Sequence, residues 1–171
     1  EFRRVLFRSL LSRLARFVGL LVDTSGGIAR QTATAWAEVA DTAITTGVRE
    51  MSDPTRLLLQ ILFEKADLSD VPLLNIFGRT SRALLTLAWT AEPPMQQTAI
   101  NAIRFVGKSF ASEPAASRTL LDRILRDPHF STYADKEASW LTEQILPIAR
   151  SDTDFAVEIY RVLYSREISD E

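Results

Sequence analysis

The chain has 171 residues and 46 % hydrophobic content, enough to bury one sizeable core and far from the composition of disordered segments. It has no cysteine, which excludes disulfides and thiolate chemistry, and its single histidine argues against a histidine-based metal site. A formal net charge of −2 provides no general attraction for nucleic acid or anionic lipid.

Residues 1–9, Glu-Phe-Arg-Arg-Val-Leu-Phe-Arg-Ser, resemble the in-frame translation of a sequencing-library adapter over all nine positions. On that reading they are not biological, and the domain to interpret is 10–171. Setting aside Arg3, Arg4, Arg8 and Glu1 takes Lys+Arg from 20 to 17, Asp+Glu from 22 to 21, and the net charge to −4. Residues 10–22 are apolar except around Arg13 and Arg16. The stretch is shorter than the roughly 20 apolar residues that span a bilayer, so it is expected to be a core helix. Asp23-Thr-Ser-Gly-Gly27 ends it, because glycine adopts left-handed geometry cheaply. The two glycines lack the lysine, the spacing and the preceding strand of a phosphate loop.

A long helix is expected from Ile28 to Met51, with Ala33, Trp36, Ala37, Ala40, Ile44 and Val48 on one side. Ser52-Asp53-Pro54 reads as a capping side chain followed by proline at the start of the next helix. From here helix starts recur: Pro54, Met95 and Lys136 lie 41 residues apart, and second helices begin near Pro72, Pro114 and Thr153. Leu58, Ala99 and Trp140 recur at steps of 41, and Leu62, Ile103 and Ile145 at 41 and 42, each on an apolar stripe. Three helix pairs are therefore expected, near 53–92, 93–134 and 135–165. A period of about 40 points to an all-α fold of stacked antiparallel helix pairs, α-solenoid-like, with an irregular helical bundle as the alternative.

Within these pairs, Val71 to about Ala91 carries Leu73, Leu74, Phe77, Leu84, Leu85, Ala88 and Trp89 inward, with Arg79, Thr80, Ser81 and Arg82 on its polar side. Gly78 in its middle costs about 1 kcal/mol and marks a close approach or a kink. The helix after Pro93-Pro94 packs through Ala99, Ile100, Ile103, Val106 and Phe110. The next turns Leu120, Leu121, Ile124 and Leu125 inward and Arg118, Arg123 and Arg126 outward, with Asp122 and Asp127 placed to pair locally. His129 is expected in a turn without the nucleophile or orienting partner of a catalytic base. A helix from Lys136 to Arg150, bent or ended at Pro147, and a last one capped by Ser151-Asp-Thr-Asp154 complete the chain.

The paired-helix period resembles HEAT or armadillo α-solenoids over about two-thirds of the chain. Asp154-Phe-Ala-Val-Glu-Ile-Tyr-Arg161 and its approach resemble repeat regions of large bacterial signal-transducing NTPases. These resemblances imply a cytoplasmic, non-catalytic scaffold or sensor module cut from a longer helical array, contacting a protein partner or neighbouring repeats of its own chain. Arg79, Arg82, Arg118 and Arg123 are the candidate partner-binding residues. No catalytic, metal or cofactor site is expected, no specific nucleic acid and no membrane. An array cut internally exposes apolar repeat faces, so self-association is expected. The alternative is a helical accessory part of an enzyme or NTPase whose active site lies elsewhere.

Overall fold

The computed structural model describes residues 2–25, 27–127 and 146–167. The chain is all-α: α1 (Phe2–Ser25), α2 (Arg30–Thr45), α3 (Ser52–Lys65), α4 (Val71–Thr90), α5 (Gln96–Lys108), α6 (Pro114–Leu125) and α7 (Thr153–Glu167), with 3-10 turns at Arg49–Met51 and Phe110–Ser112. None of the described helices is long and apolar enough to cross a membrane.

The helices lie in two interleaved rows: α1, α3 and α5 pack consecutively in one, and α2, α4, α6 and α7 in the other. The rows meet where α3 contacts α2 and α4, and where α4 contacts α5. The expected repeat positions Leu58, Leu62, Ala99 and Ile103 are fully buried on α3 and α5 at that junction. Trp140, Ile145 and most of the helix expected from Lys136 to Arg150 fall outside the described residues; Ile148 at its end is buried and Pro147 sits within a helical turn.

Aromatic rings mark the core. Phe77 on α4 meets Phe105 on α5 edge-on at 6.0 Å, and Phe105 meets Phe63 on α3 at 5.9 Å. Phe110 stacks on Phe155 of α7 at 5.8 Å, tying the last helix to the α5–α6 corner. Burying one such ring contributes up to about 3 kcal/mol.

Several local features depart from expectation. The helix expected through Met51 stops at Thr45, because Gly47 takes φ +66 and donates its N–H to Ile44 at 3.0 Å. Before that stop, Thr34, Thr42, Thr45 and Thr46 turn their hydroxyls onto carbonyls three or four residues back, at 2.7 to 3.1 Å. That satisfies polar groups on a helix whose other side is an alanine stripe.

Ser52 does not cap α3. The 3-10 turn runs straight into the helix, so the Ser52 N–H already donates to Arg49, and the Ser52 and Thr55 hydroxyls are buried without a partner. By contrast Asp70 does cap α4, accepting from the Leu73 N–H at 3.1 Å, and Asp152 caps α7 through Phe155 N–H at 2.9 Å. Gly78 marks a close approach: a Cβ there would lie 2.6 Å from Ser112 Oγ and 3.2 Å from Ser109 Cβ.

The reading of 10–22 as a core helix holds for one face only. Leu11, Ala15, Val18 and Val22 are buried, whereas Leu10, Leu14, Phe17, Leu20 and Leu21 are exposed. The helix also runs back through the adapter-like residues to Phe2.

Candidate functional site

The residues singled out on the sequence lie along the row α2–α4–α6–α7, and carboxylates from neighbouring helices meet three of them. Arg79 on α4 reaches back to α2, donating from Nε and Nη2 to the two oxygens of Asp41 at 3.1 and 2.7 Å. A planar guanidinium and a carboxylate meeting through two parallel bonds fix both distance and orientation. Thr80, fully buried, shares its one hydroxyl proton between Asp41 at 3.0 Å and the Ile76 carbonyl at 2.9 Å. The hydrogen bonds from Arg79 hold the Asp41 carboxyl below the usual carboxylate range, against the opposing effect of burial, and Asp41 in turn raises the Arg79 guanidinium.

Arg82, one turn further on, points to the other neighbour. Its Nη2 contacts Glu113 at the start of α6 at 2.7 Å and its Nη1 lies 3.4 Å from Ser117 Oγ, with 11 % of the side chain exposed. On α6, Arg118 bridges Asp152 at 3.4 Å and Glu158 at 3.2 Å, and its guanidinium lies 4.8 Å from the centre of the Phe155 ring. Arg126 pairs with Asp122 at 2.5 Å and with Glu158, and the Asp122 contact raises its guanidinium. Arg123 is exposed on the same helix. At the other end, Arg30 of α2 meets the capping carboxylate Asp70 at 2.5 Å.

Every joint in this row therefore carries an arginine–carboxylate pair: α2 to α4, α4 to α6, and α6 to α7. Arg79 and Arg118 are 39 residues apart, and their partners Asp41 and Glu158 lie 38 residues before and 40 after them. The spacing of the pairs thus matches the spacing of the helices. Acids one period away from arginines were the signal in the sequence that could have located the pairs; weighing only acids within the same helix missed them.

Other surface features are sparser. Arg104 lies 4.1 Å and Lys108 5.8 Å from the Phe63 ring centre on the α3–α5 side. A shallow hollow of about 240 Å³ opens between α1 and α3 over Ala15, Gly19, Leu57 and Ile61, with Arg16 and Glu64 at its edge. No cluster of three metal-ligating side chains occurs among the described residues, and His129 lies outside them.

The first and last of the described helices carry exposed apolar side chains: Leu10, Leu14 and Phe17 on α1, and Val157 and Tyr160 on α7. Comparison with family models, with curated proteins and with solved structures returned no match.

Proposed function

We propose that the chain is a non-catalytic helical-repeat module, α-solenoid-like, that serves as a scaffold by presenting helical surfaces to other protein units. The observation that carries this reading is the packing of each helix on the one two places along the chain, α1 on α3 on α5 and α2 on α4 on α6. Stacks of that kind gain stability from nearest-neighbour interfaces and leave their end faces open to further units. The arginine–carboxylate pairs support it: each ties one helix of the second row to the next, holding the spacing between units rather than forming a pocket.

A module of this kind tolerates loss of a terminal unit. Residues 10–127, ending after α6, are expected to retain the helicity of their remaining helices and to unfold cooperatively at a lower temperature, as followed by circular dichroism. Complete loss of structure on removing the α7 end would instead describe one indivisible bundle and overturn the reading.

A further inference from the structure

We propose that the outward stripe of α5, ending in the cation pair Arg104 and Lys108 over Phe63, binds an acidic segment of a partner protein whose carboxylates lie one helical turn apart. The proposal rests on the module reading above and names the surface the scaffold presents and the charge of its partner. Gln97, Asn101, Arg104 and Lys108 follow i, i+4, i+7, i+11 spacing, so they stand in one line along α5, opposite its buried residues. Every side chain in that line can donate hydrogen bonds, and α5 contains no acid from Gln96 to Lys108. The Arg104 guanidinium lies 4.1 Å from the centre of the Phe63 ring and the Lys108 ammonium 5.8 Å, so one ring of α3 gathers both cations. Phe63 is itself held against Phe105 at 5.9 Å.

What selects an acidic partner is that these two cations have no acid of their own. Arg30, Arg79, Arg82, Arg118 and Arg126 are each bound to a carboxylate of this chain, which an incoming acid would have to displace. Arg104 and Lys108 take part in no ion pair among the described residues, and the acid beside Phe63, Glu64, is bonded by Gln60 at 3.0 Å. Arg13, Arg16 and Arg123 are exposed as well, but none of them lies over a ring among the described residues. A guanidinium already held in place loses less freedom when it binds, and its N–H groups suit a carboxylate. Arg104 and Lys108 stand one turn, about 6 Å, apart along α5, which is the spacing of acids at i and i+4 on a partner helix. A phosphate backbone fits less well, because it gains affinity from many consecutive cations. Along the row toward α1 the cations are interrupted by Asp53 and Glu64 of α3.

Fluorescence anisotropy of a labelled helical peptide, with glutamate pairs at i and i+4 among alanine and glutamine, tests this on the full chain. The peptide is expected to bind, and one of the same composition with its glutamates on opposite faces to bind at least about tenfold more weakly. Lys108→Gln, at an exposed position, should weaken binding roughly threefold, and Arg104→Gln with Lys108→Gln about tenfold or more, with helicity by circular dichroism unchanged. Arg123→Gln should leave binding as it was. Charge reversal, Arg104→Glu with Lys108→Glu, should switch the preference to the same peptide with lysine in place of glutamate. If the double glutamine variant loses helicity, Lys108→Gln and its comparison with Arg123→Gln decide. No binding of the paired peptide, equal binding of the two peptides, or an equal loss in Arg123→Gln would overturn the proposal. Tighter binding of an oligothymidine than of the peptide would overturn it too, by making this a nucleic-acid face. If the peptide fails to bind and residues 10–127 nevertheless fold, the module reading stands and only the α5 surface falls.

Discussion

Replacing Gly78 by alanine puts the packing of α4 on the α5–α6 corner to a quantitative test. In an open helix interior this change stabilises by about 1 kcal/mol, through better helix propensity and a less flexible unfolded chain. Here the added Cβ falls 2.6 Å from Ser112 Oγ, 3.2 Å from Ser109 Cβ and 3.3 Å from Ser109 Oγ. Ser112 Oγ can rotate away only by giving up its bond to the Ser109 carbonyl at 2.8 Å, and Ser109 is held by a bond to the Phe105 carbonyl at 2.9 Å. Moving the corner outward also disturbs Phe110, which is 1 % exposed. Overpacking of this kind costs about 1–3 kcal/mol, so the net expectation is a loss of up to ~2 kcal/mol. At this chain length that lowers the melting temperature by a few degrees, about 2–4 °C per kcal/mol. The assay is thermal and urea unfolding of Gly78→Ala, Ser112→Ala and the double variant. Removing Ser112 Oγ should recover part of the loss, a coupling of about 0.5 kcal/mol or more. A stabilised single variant, or strict additivity in the double, would refute the close approach.

Asp41→Asn should destabilise the chain by about 1 kcal/mol at neutral pH, the scale of a half-exposed bidentate pair. Because the folded-state pKa of Asp41 is lowered, its contribution is complete above the unfolded value near ~4 and fades as pH falls through the folded value. The gap between the two proteins in urea unfolding should therefore narrow in acid, and a gap of constant size from pH 7 down to about pH 2.5, roughly one and a half units below the unfolded value, would contradict the assignment. Thr55→Val keeps the shape of the side chain and removes a buried hydroxyl that has no partner, so a gain of about 1 kcal/mol is expected in chemical denaturation; a loss of that size would reveal a bonding partner for the hydroxyl. Phe155→Ala should cost about 3–5 kcal/mol, since the ring is fully buried against Phe110 and beneath Arg118, and a loss below 1 kcal/mol would show that α7 is not docked there.

How much of this was legible in the sequence follows from which signals are local. Helix starts at Pro114 and Thr153 and the apolar stripes through Leu58, Leu62, Ala99 and Ile103 are written within a few residues of where they act. The all-α class was readable for that reason. Gly47 was less so, because a single glycine inside a good helical pattern becomes a stop only when its φ turns positive. Ser52 looked like a cap because the residue type fits, yet the preceding 3-10 turn had already taken the helix's first donors. The four candidate arginines lie on α4 and α6, but a side chain's partner one helix away is a tertiary fact; Asp41, Glu113 and Glu158 are 31 to 40 residues from the arginines they bind. The double character of α1 was hidden because two adjacent apolar stripes read as one thoroughly buried helix, and only a missing neighbour distinguishes them.

Whether the chain is a stack of helical units held by nearest-neighbour contacts is decided by native-state hydrogen exchange along the chain. A stack opens from its ends, so protection should be greatest in α3, α4 and α5 and fall in separate steps toward α1 and toward α7, with weak denaturant releasing the ends first. If all the helices instead share a single opening free energy and exchange together, the chain is one cooperative bundle and the description as a stack of units is wrong.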